Sequence, residues 1–216
     1  MPDLRPPIQE SIRVPMSDLT YQNNETTVPL ETYEWDRTWW EHTENKTAKR
    51  VFYLGDSISW GIRPEMQAMV KTEFLVDALA TSKAPDNPYL LPTLDLVLQQ
   101  TNSVDIILVN SGLHGWHLQD DTEYPTLLRA LLTQLKEHCP SVAVLLTTCV
   151  ENKERNARVI ARNKSASKVA MELGCPIVDL YTPSLQCIHT DGVHLNREGY
   201  QTLATVIVEA LRPLLK

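Results

Sequence analysis

Long hydrophobic runs and a positive net charge are both absent from this sequence, and each absence excludes a class of protein. No apolar run approaches the roughly 18 residues that a membrane-spanning helix needs, so no membrane span is expected. The opening stretch, MPDLRPPIQESIRVP, has no apolar run of the kind found in signal peptides, which favours a cytoplasmic location. The formal net charge of −7 makes nucleic acid an unfavourable partner.

Cysteine is also scarce, and no two cysteines have the C-x-x-C spacing. That spacing is typical of zinc sites and redox motifs, and dense, evenly numbered cysteines are typical of small secreted domains. The sequence therefore predicts reduced thiols rather than a disulfide framework or a zinc site. The four residues are Cys139, Cys149, Cys175 and Cys187.

The 216 residues are enough for one domain with a sizeable core, and they divide unevenly. Residues 1–48 are rich in proline and threonine and show no sustained periodicity, so we expect an irregular arm that packs on the main domain, residues 49–216. Trp35, Trp39 and Trp40 lie in this arm. They fit two interpretations, a hydrophobic contact with the main domain and a platform for stacking a sugar.

From Lys49 onward, short apolar runs alternate with longer amphipathic segments, which predicts a parallel sheet with helices on both faces. We expect a three-layer α/β/α sandwich of the flavodoxin-like type, with about five parallel strands. The predicted strands are Arg50–Leu54, Phe74–Leu79, Asp105–Asn110, Val142–Thr148 and Pro176–Leu180. The predicted helices are Ile58–Val70, Tyr89–Gln100, Glu123–His138, Glu154–Leu173 and Arg197–Leu214.

A small polar pair, Asp56-Ser57, stands where the first of these strands ends and the first helix begins. Ligands of such sheets bind at the carboxyl ends of the strands. A serine at this turn lies beside free backbone N–H groups and the positive end of the helix dipole, which stabilise a developing oxyanion. Gly55 permits the tight turn. The alternative is that Asp56-Ser57 is only a helix cap, a function that suits both residues.

A second motif near the other end of the domain supplies the base that a nucleophilic serine needs. Asp191 and His194 are three residues apart in the segment HTDGVHLNREGY. At that spacing, the carboxylate can reach the imidazole, fix its tautomer and stabilise its protonated form. The alternative is a solvated loop aspartate beside a surface histidine.

Together, Gly55-Asp56-Ser57 and Asp191-Gly192-Val193-His194 resemble the two end motifs of the SGNH/GDSL family of serine hydrolases. The resemblance covers about residues 49–216. It implies the flavodoxin-like fold and ester hydrolysis by a Ser57–His194–Asp191 triad without a metal or cofactor. It also implies an oxyanion hole made by the Ser57 N–H, a glycine N–H from a second motif, and an asparagine side chain from a third.

The chain departs from the family pattern at both of the other oxyanion positions. No glycine occurs between Gly61 and Gly112, so the second-motif glycine is missing. Backbone N–H groups of the loop ATSKAPDNP, from Ser82 to Ala84, are the candidates to replace it.

The third motif aligns with Gly112-Leu113-His114, which puts histidine where the family has asparagine. An imidazole can donate one hydrogen bond when neutral and two when charged. Asn110, four residues earlier, is the alternative donor. The candidate oxyanion hole is thus Ser57, Ser82, Asn110, Gly112 and His114.

Candidate substrate contacts flank the same loops: Asp56, Trp60 and Trp116. The two tryptophans suit a sugar ring or an aromatic group, and they equally suit closing the core. His114 and His117 are three apart, but a metal pair needs further ligands, so we predict no metal site.

The sequence therefore predicts a serine esterase that acts on a small O-acyl ester, with an O-acetyl group on a carbohydrate as one candidate. The partner is a small-molecule or carbohydrate ester, and the oligomeric state is left open. The altered oxyanion positions keep two alternatives: a non-catalytic glycan-binding or scaffold module on the same fold, and an acyltransferase.

Overall fold

A six-stranded sheet forms the centre of the computed structural model, which describes residues 33–101 and 103–215. The strand order is β1-β3-β2-β4-β5-β6, and β2 to β6 are parallel. The strands are β1 (Asp36–Trp39), β2 (Arg50–Gly55), β3 (Leu75–Thr81), β4 (Ile106–Val109), β5 (Val142–Leu145) and β6 (Ile177–Val178). The helices are α1 (Ser57–Val70), α2 (Leu90–Leu98), α3 (Glu123–His138), α4 (Lys153–Glu172), α5 (Tyr181–Ser184) and α6 (Arg197–Leu211).

The three-layer arrangement is confirmed, because alternate residues of the central strands are buried on opposite faces of the sheet. Val51 and Tyr53 of β2 pack into a core formed mainly with α1 and α6. Phe52 and Leu54 pack into a second core formed with α2, α3 and α4. Strands covered on both faces read as continuous apolar runs, which is why the sequence predicted them. The five predicted parallel strands and five predicted helices are all present, with ends that shift by a few residues.

The sixth strand corrects the expectation of a five-stranded, wholly parallel sheet. β1 pairs antiparallel with β3, with Asp36 opposite Thr81 and Trp39 opposite Ala78. The expected irregular arm is therefore wrong for residues 36–39. Residues 1–32 lie outside the described residues, and the domain boundary at residue 48 stays a prediction.

A buried ion pair fixes the segment that follows β1. Arg50 of β2 donates to both carboxylate oxygens of Asp77 on β3, at 2.9 and 3.0 Å. Its guanidinium also donates to the backbone carbonyls of Glu41, His42 and Asn45. Because each of these contacts is buried or partly buried, residues 41–45 are held against the start of β2.

Within the described ranges, no helix combines the length and the apolarity that crossing a bilayer requires.

Candidate active site

The turn from β2 into α1 presents Ser57 as the first residue of the helix. Asp56 is the N-cap, and its Oδ1 accepts a hydrogen bond from the Ile58 N–H at 2.9 Å. Gly55 is required for close packing, since a Cβ at this position would lie 2.0 Å from Ser59 Oγ. The sequence thus places a hydroxyl at a capped helix N-terminus, directly past the end of a buried strand.

The loop before α6 brings a histidine and an aspartate to this hydroxyl. His194 Nε2 lies 2.8 Å from Ser57 Oγ, and His194 Nδ1 lies 2.7 Å from Asp191 Oδ2. The other carboxylate oxygen of Asp191 accepts the backbone N–H groups of Val193 and His194, at 3.0 and 2.8 Å. Gly192, at φ +86°, allows the tight turn that brings these groups together.

These contacts fix the direction of the hydrogen bonds. The His194 backbone N–H, the His194 side chain and the Val193 N–H lower the pKa of Asp191 to about 2. Asp191 is therefore an acceptor only at neutral pH, and His194 Nδ1 must carry the proton of the bond between them. In the neutral imidazole, Nε2 is then unprotonated and accepts the hydrogen bond from the Ser57 hydroxyl.

Asp56, a predicted substrate contact, is a buried carboxylate with 2% of its surface exposed. Burial raises its pKa, and the nearby His114 and His194 partly offset this increase. Oδ1 is occupied in the cap, whereas Oδ2 has no hydrogen-bond partner among the described residues. The side chain lines the same cavity as Asn110, Gly112 and His114.

The described contacts separate the candidate oxyanion donors. The Asn110 amide nitrogen has two acceptors, Leu145 O at the end of β5 at 3.0 Å and Thr147 Oγ1 in the loop after it at 3.4 Å. Gly112 packs tightly there, because a Cβ would lie 1.9 Å from Thr147 Oγ1. His114 lies with Asp56 in the cavity, and its ring meets the Trp35 ring edge-on at 6.3 Å between centroids.

The loop that replaces the missing glycine motif has two of its N–H groups occupied. The Ser82 N–H donates to Trp35 O at 3.1 Å, as β1 pairing continues past the end of the strand. The Lys83 N–H donates to Thr81 Oγ1 at 3.1 Å. The Ala84 N–H makes no hydrogen bond to another described residue, and Ala84 packs beside Gly115 in the His114 loop.

Arg162, which the sequence analysis missed, holds the His114 loop in place. The side chain is fully buried on α4 and donates to the carbonyls of Gly112 at 3.1 Å, His114 at 2.7 Å and Gly115 at 2.6 Å. It also pairs with Asp120 at 2.6 Å. Its position could have indicated this role. Arg162 lies on the buried face of α4, and a buried arginine needs hydrogen-bond acceptors for its guanidinium.

The predicted tryptophan contacts lie in different environments. Trp60, one turn after Ser57 on α1, meets Trp39 edge-on at 6.4 Å between centroids. Trp116 packs under the guanidinium groups of Arg158 and Arg162, at 5.2 and 4.9 Å.

The tryptophans of the N-terminal arm also differ in how far they are buried. Trp40 packs against the core formed with α2 and α3, whereas Trp39 is 44% exposed.

His117 does not join His114 in a shared site, because its Nε2 pairs with Asp86 Oδ2 at 2.6 Å. In the described parts of the chain, no three His, Cys, Asp or Glu side chains converge as a metal site would need. Three side chains of α4 instead bind neighbouring loops: Asn156, Arg162 and Asn163. Asn163 exchanges two hydrogen bonds of 2.8 Å with the Thr147 backbone.

Comparison with solved structures identifies the fold. The acetyl xylan esterase AlAXEase matches with a TM-score of 0.62 and 19% identity over 75% of this chain and 99% of its own. A lipolytic G-D-S-L family protein from Veillonella parvula matches at 0.63 and 17%, over 75% and 97%. The aryl esterase of M. smegmatis matches at 0.66 and 17%, over 78% and 100%.

No family model and no curated protein matches the sequence. The structural likenesses confirm the predicted fold, which is that of the SGNH/GDSL esterases.

Proposed function

We propose that this protein is a serine esterase. The observation that carries the proposal is the continuous chain of contacts from Ser57 Oγ through His194 to Asp191, with both bonds under 3 Å. Serine alone is a weak nucleophile, and this arrangement provides the base that activates it and the carboxylate that orients the base.

In the proposed reaction, Ser57 Oγ attacks the acyl carbon while His194 Nε2 takes the hydroxyl proton. The tetrahedral intermediate breaks its bond to the alcohol, which leaves with the proton from His194. Water then attacks the acyl-enzyme, gives a proton to His194, and the acid departs as Ser57 regains the proton. Asp191 stays ionised throughout, since its pKa is about 2.

The developing oxyanion would be bound by the Ser57 backbone N–H at the start of α1 and by His114, because the Ile58 and Ser59 N–H groups donate to Asp56 Oδ1. His114 lines the same cavity as the Asp56-Gly55 turn, whereas the Asn110 amide already donates to two acceptors. The Ala84 N–H is the candidate to replace the missing glycine N–H, because the Ser82 and Lys83 N–H groups are occupied.

The proposed substrate is a small O-acyl ester, with an acetylated carbohydrate as the leading case. The similar structures include an esterase whose name specifies acetyl xylan. Trp39, which is 44% exposed and contacts Trp60 of α1, is an aromatic side chain of the kind that packs on a sugar ring, and the Arg63 guanidinium also contacts its ring.

Hydrolysis of p-nitrophenyl acetate by the purified protein tests the proposal. Ser57→Ala should lower kcat by roughly 10⁴-fold or more, because it removes the nucleophile. The melting temperature of the variant, measured in parallel, serves as the control for folding. Undiminished hydrolysis by Ser57→Ala would contradict the nucleophile assignment, and no hydrolysis by the wild type would favour the non-catalytic module.

A further inference from the structure

An exposed arginine lies between two tryptophan rings beside the candidate active site. The Arg37 guanidinium carbon is 5.6 Å from the centroid of the Trp35 ring and 5.8 Å from that of the Trp60 ring. Each contact is within the range of a cation–π interaction. The two rings therefore hold the guanidinium in one place at the protein surface.

Arg37 differs from the cations around it because no carboxylate of the described residues pairs with it. Lys83 pairs with Asp36 at 2.6 Å, and Arg63 pairs with Glu41 at 2.9 Å. Among the residues that the structure describes, the Arg37 guanidinium contacts the two rings and no acceptor. A planar guanidinium offers five N–H donors in a fork that matches a carboxylate, and the ring contacts supply no oxygen acceptor for these donors.

Sheet register places Arg37 next to the turn that carries the nucleophile. Arg37 of β1 is opposite Ala80 of β3, and Ala80 is opposite Gly55 of β2. Adjacent strands are about 4.8 Å apart, so the Arg37 backbone lies about 10 Å from Gly55, two residues before Ser57.

The two ring contacts locate the Arg37 side chain relative to the triad and the candidate oxyanion donor. Trp60 belongs to α1, one turn past Ser57, and Trp35 touches His114. Arg37 is thus held by one ring from the nucleophile helix and one ring beside the candidate oxyanion donor. Ala78 and Ala80, the small β3 residues opposite Trp39 and Arg37, leave room for these large side chains.

We propose that Arg37, oriented by Trp35 and Trp60, binds a carboxylate on the substrate and gives the enzyme a preference for esters of acidic molecules. This inference rests on the proposed esterase function of Ser57. The carboxylate belongs either to the acyl part, as in a dicarboxylic half-ester, or to the alcohol part, as in an acetylated hydroxy acid or uronic acid. Both sources present the same planar anion to the same guanidinium.

Matched ester pairs test the preference. The acyl-side pair is p-nitrophenyl hemisuccinate and p-nitrophenyl butyrate, and the alcohol-side pair is p-acetoxybenzoate and p-acetoxybenzamide. In one pair, Arg37→Gln should lower kcat/KM for the anionic ester by about tenfold, as expected for losing a charge-assisted hydrogen bond, and leave the neutral ester unchanged. Arg37→Lys keeps the charge without the fork and should lie in between. The pair that responds identifies which part of the substrate carries the carboxylate.

Arg129→Gln is the matched control, because it removes the same charge from a half-buried arginine of α3 that pairs with Glu172. It should leave both ratios unchanged. An equal anionic-to-neutral ratio in wild type and Arg37→Gln, for both pairs, would overturn the inference while leaving the esterase intact.

A binding measurement separates this inference from the proposed function. In the Ser57→Ala background, calorimetric titration with hemisuccinate ester and with p-acetoxybenzoate measures affinity without turnover. Arg37→Gln should weaken one of these affinities by about tenfold. Unchanged affinities for both ligands would refute the role of Arg37 even if no ester were hydrolysed.

Discussion

At the scale of single residues, Asp191 sets the direction of the hydrogen bonds that link it to His194 and Ser57. Because backbone and side-chain donors of His194 hold the pKa of Asp191 near 2, the carboxylate accepts and never donates in the working range of pH. His194 then has its unprotonated nitrogen toward Ser57, 2.8 Å away. The sequence predicted these three residues from two short motifs, because both motifs depend only on local turn geometry.

His114 is the residue at which we expect the largest catalytic effect outside these three. His114→Ala should lower kcat by roughly 10²–10³-fold, the usual loss for one oxyanion donor, with a much smaller change in KM. His114→Asn should recover part of the rate, since an amide can also donate. Steady-state kinetics on p-nitrophenyl acetate measure both effects.

Asn110→Ala is the comparison for that experiment. The Asn110 amide donates to Leu145 O and Thr147 Oγ1, so its loss should reduce stability more than kcat. A large fall in kcat for Asn110→Ala, with a small one for His114→Ala, would assign the donor role to Asn110 instead.

Asp56 should make the stability of the protein depend on pH in an unusual direction. Burial raises its pKa in the folded state above the value of about 3.9 in the unfolded chain. The folded state then binds more protons than the unfolded state, so this residue's contribution to stability falls as pH rises from about 4 through the raised pKa. Asp56→Asn keeps the helix cap and removes the charge.

The free energy of unfolding, measured in urea at pH 4 and pH 7 for both proteins, tests this. The unfolding free energy of Asp56→Asn minus that of the wild type should be larger at pH 7 than at pH 4. Other titrating groups are common to both proteins and largely cancel in the difference. A difference that does not change with pH would show that the buried Asp56 carboxylate is not destabilised.

At the scale of elements, the buried strands can be predicted from the sequence, and the exposed strand cannot. The strands β2, β4 and β5 are apolar runs covered on both faces, and periodicity alone predicts them. β1 is the four-residue segment DRTW, which is mostly exposed and lacks an apolar run. Its structure depends on pairing with β3, a long-range contact that no local pattern encodes.

Loop geometry likewise depends on contacts with residues that are far away in the sequence. Asn156 and Asn163 tie α4 to the loop after β5, since their side-chain oxygens accept the Val150 and Thr147 N–H groups. The sequence indicates such a tie, because the two residues are seven apart and therefore share one helix face. It did not predict that Arg162 binds three carbonyls of the His114 loop. An arginine on a helix is usually solvent-exposed, and its partners here are up to 50 residues away in the chain.

Replacing Arg162 should therefore affect both stability and catalysis. Arg162→Met should lower the free energy of unfolding by about 3–5 kcal/mol, because it breaks a buried pair and leaves carbonyls unpaired. At a temperature where the variant remains folded, kcat should fall while KM changes little, since the His114 carbonyl loses its donor. Thermal unfolding and steady-state kinetics measure the two effects.

Arg158→Met is the matched control on the same helix. Arg158 also pairs with Asp120 and stacks on Trp116, but it contacts the carbonyls of Trp116 and Leu118 rather than those of Gly112 and His114. It should lower stability with little change in kcat. Equal effects on kcat from the two variants would show that Arg162 does not position His114 specifically.

At the scale of the whole molecule, the fold and the site differ in how far they follow the family. The fold matches esterase structures at TM-scores of 0.62 to 0.66 although identity is 17 to 19%. The two end motifs match the SGNH/GDSL pattern, whereas the residues at the other two oxyanion positions depart from it. β1 and the residue before it bring Arg37 beside Trp60 of α1 and Trp35 beside His114.

The central claim is that Ser57 is an activated nucleophile, and covalent labelling tests it most directly. A fluorophosphonate probe reacts with serines activated as in a triad and needs no knowledge of the substrate. After incubation with the intact protein, mass spectrometry should find one adduct, on the peptide that contains Ser57, and Ser57→Ala should abolish it. An adduct on a different residue, or no adduct from a protein that still hydrolyses esters, would contradict the account.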